Sequence, residues 1–194
     1  MSDASRLPES AIDASGKIRV LVDLDGVVRD FVTGLKRVYQ NHFPGHAVQE
    51  ITSRNLEAFF PIGEKIYPFM DETHAEEILT TAPPYPGALE ALARWEKHFH
   101  IVVVTAQPPQ GRAPTFLWLG KHRVATAEVH VRADKETVPG FALLDDFDDN
   151  LERFARTGRL AVCLDRPWNR NWKGPRVHSV EAFFRLVRKK LTEQ

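Results

Sequence analysis

Asp23 and Asp25 stand two apart in Asp23-Leu24-Asp25-Gly26-Val27, where the apolar run Ile18–Leu24 ends. Residues at i and i+2 of a strand end can both turn toward one crevice, and Gly26 lets the backbone turn sharply between strand and loop. Such a pair could carry chemistry, although Asp-x-Asp-Gly also describes a solvated loop. A second acidic pair, Asp145-Asp146, follows Leu143-Leu144. Adjacent carboxylates leaving a buried strand repel one another unless a cation or a proton intervenes, and hard oxygen ligands are what magnesium prefers. The alternative is an acidic helix start; it accounts for Asp148 and Asp149 better than for Asp145, which should still lie on the strand. Thr105 closes the run Phe99–Thr105, where a hydroxyl serves as a strand cap or a phosphate ligand. Lys135, in Arg132-Ala133-Asp134-Lys135, is by itself an ordinary surface lysine and gains meaning only beside the others.

The elements that must position these residues are short and apolar. Ile18–Leu24, Phe99–Thr105, Phe141–Leu144 and Leu160–Leu164 read as strands, with the alternating stretch Glu128–Arg132 as a weaker fifth. Near-continuous hydrophobicity in such runs is expected of strands buried on both faces of a parallel sheet. Helical spacing lies between them. Leu89, Leu92, Ala93 and Trp95 follow Pro86-Gly87. Leu151, Phe154 and Ala155 follow Asp149, read as the N-cap, and stop at Gly158. A last helix starts near Ser179, carries Phe183, Phe184 and Val187 inward, and ends in Arg188-Lys189-Lys190, which suits its C-terminus. Alternating strands and helices imply a doubly wound α/β fold with a mainly parallel sheet.

One stretch breaks the alternation. Residues 31–82 contain no convincing strand: Phe31, Leu35, Val38 and Tyr39 share a helical face, Pro61 and Pro68 interrupt, and Thr73-x-x-Glu76 reads as a capping box. This predicts a small helical cap inserted after the first strand, overhanging the strand ends where open α/β sheets bind ligands. The catalytic core is then residues 17–30 and 83–194, and residues 1–16, rich in Ser, Ala, Asp and Pro, read as a mobile tail.

Bulk properties exclude several classes. The formal net charge of zero over 194 residues argues against polymeric nucleic acid or an anionic membrane as partner. No apolar run approaches the roughly 20 residues needed to span a bilayer. The single cysteine, Cys163, sits in an apolar run and reads as a buried core residue. A reducing, cytoplasmic setting is the expectation.

Taken together, Asp-x-Asp-Gly-Val after a first strand, Thr105 after a second, then Lys135, then Asp145-Asp146 after a third resemble the haloacid dehalogenase superfamily of phosphohydrolases, over nearly the whole chain beyond the tail. The resemblance implies a HAD-like, Rossmann-type core. It implies Asp23 as nucleophile and Asp25 as general acid/base, with Thr105 and Lys135 on the phosphoryl group. Magnesium would be held by Asp23, the Asp25 main-chain carbonyl and Asp146, with Asp145 in support. Three stretches are similar to the 5′(3′)-deoxyribonucleotidase family: Asp23 to Phe31, Pro84-Tyr-Pro-Gly-Ala-Leu-Glu-Ala91, and Asp134 to Thr137 running into Leu143–Asp146. They imply a nucleoside monophosphate as substrate, its base under the cap. Family members are often dimers, so a homodimer is implied as well. Phe31 matches the position that packs on the base, where stacking is worth about 1–3 kcal/mol; core packing is its other reading.

The sequence also departs from that family. Arg29 stands where a small residue is usual and is free to contact a phosphate, a carboxylate or solvent. Thr105 is followed by Ala106-Gln107-Pro108 in place of Ser-Pro, which removes a hydroxyl near the phosphate, and Phe147 replaces an arginine. Gly26, Arg29, Phe31 and Ala106 are the candidate substrate contacts, and the loop Arg166–Trp172 is a second choice for specificity. The rivals are a phosphatase of sugar phosphates or other small phosphomonoesters, a phospho-accepting regulatory module, and a nucleotide-binding protein without turnover. In receiver modules the acidic pair lies on the first strand and the acceptor on a later one, the reverse of the order here.

Overall fold

The computed structural model describes residues 11–193. Its strands are β1 (Ile18–Val22), β2 (Phe99–Thr105), β3 (Glu128–Val131), β4 (Ala142–Asp145), β5 (Leu160–Leu164) and β6 (Arg176–Val177). They form one sheet in the order β3-β2-β1-β4-β5-β6, and every pairing in it is parallel. The chain winds outward from β1 to β3 and then returns to β4 on the other side. This puts a topological switch point at the carboxyl ends of β1, β2 and β4, the place where such sheets bind ligands.

Side-chain alternation explains the continuous apolar runs. Val20 and Val22, Ile101 and Val103, Leu144, and Val162 and Leu164 enter one core cluster. Leu21, Val102 and Val104, Leu143, and Ala161 and Cys163 enter the cluster on the opposite face. Both faces are covered, so both sets are apolar. The helices of the core are α4 (Ala88–Trp95), α5 (Pro109–Lys121), α6 (Asp148–Ala155) and α7 (Val180–Thr192). Leu92 and Trp95 of α4 pack with Phe183, Phe184 and Val187 of α7 against the first face, while Leu151 and Phe154 of α6 cover the second. Ser179 caps α7 by accepting from the Ala182 N–H at 3.1 Å. Helix α6 begins two residues earlier than expected: Phe147, not Asp149, is the N-cap, and Asp148 and Asp149 occupy the first turn, where they complement the dipole.

The stretch 31–82 is helical throughout its regular elements, with α1 (Phe31–His42), α2 (Ile66–Pro68) running into a π-helical turn (Phe69–Thr73), and α3 (Ala75–Thr81). Asp30 caps α1 by accepting from the Thr33 N–H. Leu35, Val38, Tyr39, Ile51, Phe60, Ile66, Phe69 and Ile78 form a separate cluster, so the insertion has its own core. Thr73 does not open α3 as a capping box would, because the π-turn consumes it and His74 takes the N-cap.

The expected tail lies outside the described residues up to position 10. Its remainder is tied down: Ala11 is buried, Ile12 bridges Ile18, and Asp13 pairs with His100 at 2.6 Å. Cys163 is buried, and burial pushes its thiol up to about 12. Among the described residues no helix is long and apolar enough to cross a membrane.

Candidate active site

The sheet brings four of the predicted residues to one edge. Asp23 follows β1 directly, and its N–H donates to the Leu144 carbonyl at 2.9 Å, locking the end of β1 to that of β4. Thr105 and Asp145 are the last residues of β2 and β4. Lys135 starts a 3-10 turn (Lys135–Thr137) between β3 and β4. Its ammonium lies 2.7 Å from both Asp23 Oδ1 and Asp145 Oδ2, and the lysine is only 2 % exposed. Burial alone would lower its pKa, but the two carboxylates outweigh it and hold the ammonium charged. The sequence reading of a surface lysine in isolation therefore gives way to a fully buried one.

Asp145 is committed to that lysine. Besides Lys135, Oδ1 accepts from the Phe147 N–H at 2.8 Å, and both oxygens accept from Asn150 Nδ2 at 3.2 Å. With both oxygens engaged, Asp145 orients Lys135 while sitting within the carboxylate cluster, which agrees with the supporting place expected of it. Asp146 is different. Oδ2 accepts from Trp168 Nε1 at 2.9 Å, while the buried Oδ1 has no partner. Burial and the neighbouring Asp145 raise its pKa to about 7. Burial likewise pushes Asp23 well up, against the pull of Lys135.

Ligand oxygens of Asp23, Asp145 and Asp146 lie within 4.8 Å of one another. Three buried carboxylates face one buried lysine, which leaves two negative charges in the cluster, and one oxygen is orphaned. These residues fit a divalent, oxygen-preferring cation on both counts. Gly26 makes the fit possible. Its φ is 76°, and a Cβ there would lie 2.0 Å from Asp146 Oδ2.

Asp25 is held from the side. Arg29 is wholly buried and grips it in a fork, Nε to Oδ1 at 2.6 Å and Nη2 to Oδ2 at 2.8 Å, while Gln107 Nε2 also donates to Oδ2. The rest of the guanidinium donates to the Leu79 carbonyl and Thr115 Oγ1, both at 3.2 Å, and lies 5.4 Å from the Trp118 ring centre. Arg29 thus contacts a carboxylate, and its burial removes it from the substrate contacts that its sequence position suggested. Its charge offsets that of Asp25, not that of a ligand.

A cleft of about 340 Å³ opens above this edge, between core and insertion. Asp25, Gly26, Ala106 and Asp146 lie at its base; Phe31, Leu35, Ile51, Met70, Phe147 and Trp168 give it apolar walls. Phe31 lines the cleft and packs on the insertion's core.

The family model described as 5′ nucleotidase, deoxy (pyrimidine), cytosolic type C protein (NT5C) matches residues 16–192. The chain belongs to this family. It is an enzyme, a hydrolase of the phosphatase/nucleotidase type with the HAD-like fold. It is 29% identical over 129 residues to a protein of Oceanobacillus iheyensis that is named as an inferred nucleotidase, covering 61% of this chain and 69% of that one. A haloacid dehalogenase-like hydrolase of Streptococcus pneumoniae superposes with a TM-score of 0.64 at 10% identity, over 87% of this chain and 97% of that one. A HAD-superfamily hydrolase of Geobacter sulfurreducens gives 0.59 at 13% identity, over 91% and 97%. Those two likenesses concern the fold.

Further residues hold the carboxylate-bearing loops in place. The Arg166–Trp172 loop, ranked second for specificity, supports the site as well as lining it. Asn169 Nδ2 donates to the main-chain carbonyls of Asp146 and Leu164, and Arg166 Nε donates to the Gly26 carbonyl at 2.7 Å. Gln107 links Asp25 to Thr105, whose Oγ1 accepts from it at 3.3 Å. Asn150 had no signal beyond lying one turn into a helix that follows the acidic pair.

Proposed function

We propose that this enzyme hydrolyses nucleoside monophosphates through a phosphoryl intermediate on Asp23. The observation that carries the reading is Lys135, buried between Asp23 and Asp145 beside the orphaned oxygen of Asp146. Magnesium, held by Asp23, Asp146 and the Asp25 main-chain carbonyl, would supply charge neutralisation at the phosphoryl group. Asp23 attacks phosphorus, and the ester oxygen leaves with a proton from Asp25. Asp25 then takes a proton from water, which attacks phosphorus and frees Asp23. Lys135 neutralises charge on the transferring oxygens, and Thr105 with the backbone at Ala106 holds them in line.

Arg29 and Gln107 set the geometry of the second carboxylate. With three N–H donors on its oxygens, Asp25 is arranged as the carboxylate that activates water. To protonate the leaving oxygen it must release part of that fork, so Arg29 is a positioning residue in both half-reactions.

The apolar cleft favours a flat base over a sugar phosphate. Asp71, on its wall, has its pKa raised by burial and then by Glu72, and offers an acceptor to a donor group on the base or sugar. A reducing cytoplasm as the place of action rests on the single, buried cysteine. The test is phosphate release from a panel of 5′- and 3′-nucleoside monophosphates and sugar phosphates, with and without magnesium. Metal-dependent release confined to nucleotides supports the reading. Preferred release from sugar phosphates overturns the substrate.

A further inference from the structure

We propose a second metal site on the insertion, formed by His42, His74 and Glu77 and suited to zinc. His42 lies in the last turn of α1, His74 is the N-cap of α3, and Glu77 is one turn further along α3. One ligand atom from each lies within 4.8 Å of the others. The set of two imidazoles and one carboxylate differs in kind from the all-oxygen cluster below the cleft. It is the donor set of three-ligand zinc sites, in which a fourth position stays open to water.

Two distances decide between a metal site and a hydrogen-bonded cluster. Glu77 Oε2 is 3.4 Å from His42 Nε2 and 3.7 Å from His74 Nδ1. Good N–H···O bonds cluster near ~2.9–3.0 Å, so one contact is marginal and the other is not a hydrogen bond. Tetrahedral zinc with bonds of ~2.0–2.1 Å places neighbouring ligand atoms about 3.3–3.4 Å apart. The observed separations fit edges of that polyhedron better than they fit hydrogen bonds. The two imidazole centres are 4.0 Å apart, and a ligand nitrogen of each ring lies within 4.8 Å of the other.

The surroundings agree. Phe69 lies under both rings, at 5.9 Å from His42 and 4.2 Å from His74, and gives the site a dry inner side. His42 and Glu77 are 42% and 43% exposed in their side chains, which leaves the outer side open to a water ligand and an entry path. The nearby His46 is taken up by the Tyr39 hydroxyl at 2.6 Å.

A metal here would cross-link α1 to α3. Helix α1 carries Phe31 and Leu35, and the π-turn before His74 carries Met70 and Asp71, all on the cleft wall. The site would therefore fix the wall that meets the substrate without touching the phosphate chemistry. This inference is independent of the proposed reaction.

The test is a Co2+ titration of the full-length protein in excess Mg2+, followed by displacement with Zn2+. One equivalent should give visible d–d absorption of tetrahedral type that zinc removes. At zinc about 100-fold above its Kd, Tm should rise by roughly 5–10 °C. Both signals should vanish in His74→Gln and in His42→Gln, and the cobalt band should survive in Asp146→Asn. His42 is the more exposed ligand, so His42→Gln remains informative if His74→Gln folds poorly. Absence of the band, or a band unchanged in His42→Gln, overturns the proposal.

Discussion

Replacing Asp146 with Asn is expected to abolish turnover and, with a chelator present, to make the protein more stable. Asp146 is 2 % exposed, its Oδ1 has no hydrogen-bond partner, and Asp145 adjoins it. Burial first, and Asp145 second, raise its pKa to about 7. The folded state therefore binds this proton more tightly than the unfolded chain. The stability linked to it is complete below the ordinary carboxylate range near ~4 and is lost as pH rises through about 7. At roughly 1.4 kcal/mol per unit, the full cost above pH ~7 is on the order of 4 kcal/mol. Asn removes the charge and keeps an acceptor for Trp168, but its amide fits imperfectly, so about half of that, ~2 kcal/mol, should be recovered. For a chain of this size this is a Tm rise of roughly 4–8 °C. Thermal unfolding in EDTA and in Mg2+, at pH ~7.5 and ~5, reads it. Magnesium should stabilise the wild type and not Asp146→Asn, and the gap in EDTA should shrink at the lower pH. An Asn variant less stable than wild type in EDTA, or equal stabilisation of both by magnesium, would refute the argument.

Other substitutions test other parts of the site. Arg29→Lys keeps the charge but loses the fork on Asp25, so kcat should fall by about 10²-fold with KM little changed; a large KM effect would make Arg29 a substrate contact after all. Gly26→Ala forces a Cβ against Asp146 Oδ2 at a φ of 76°, and should remove metal-dependent activity and destabilise by at least about 1–3 kcal/mol; calorimetry and phosphate release check both. Glu128 lies outside the site, with Arg19 forking onto it and His100 and His130 beside it. Arg19 above all holds its pKa low, so its contribution is present above the ordinary carboxylate range and lost as pH falls below it. Glu128→Gln should lose less stability than wild type between pH ~5 and ~2; parallel acid unfolding curves would contradict this.

The doubly wound core was legible because β1, β2, β4 and β5 are buried on both faces over most of their length and are mainly apolar there, the exceptions being Arg19, His100 and the polar strand ends Thr105 and Asp145. Helix α5 was not. Its buried residues, Gly111, Pro114, Thr115, Trp118 and Leu119, fall at helical spacing, but three of the five are not large apolar residues, whereas Phe116 and Leu117 are exposed. The hydrophobic pattern therefore does not follow burial. Strand β6 is two residues long and gives no periodic signal. In the site, Asp23, Asp25, Thr105, Lys135 and Asp146 could be picked out because each sits at or just beyond the end of an apolar run or in order with one. Roles that depend on a partner distant in sequence could not be read. Arg29 finds Leu79 and Thr115, Trp168 reaches Asp146, and Asp145 is divided between Lys135 and Asn150. Only the fold states those pairings.

The central claim, that Asp23 carries the phosphoryl group, is tested most directly by trapping it. A turning-over mixture with a nucleoside monophosphate is quenched and treated with borohydride, which reduces an aspartyl-phosphate to homoserine, and residue 23 is read by mass spectrometry. The account predicts homoserine at position 23 in the wild type and neither trapping nor turnover in Asp23→Asn. Turnover with residue 23 unmodified, or the trapped group on another carboxylate, would contradict it.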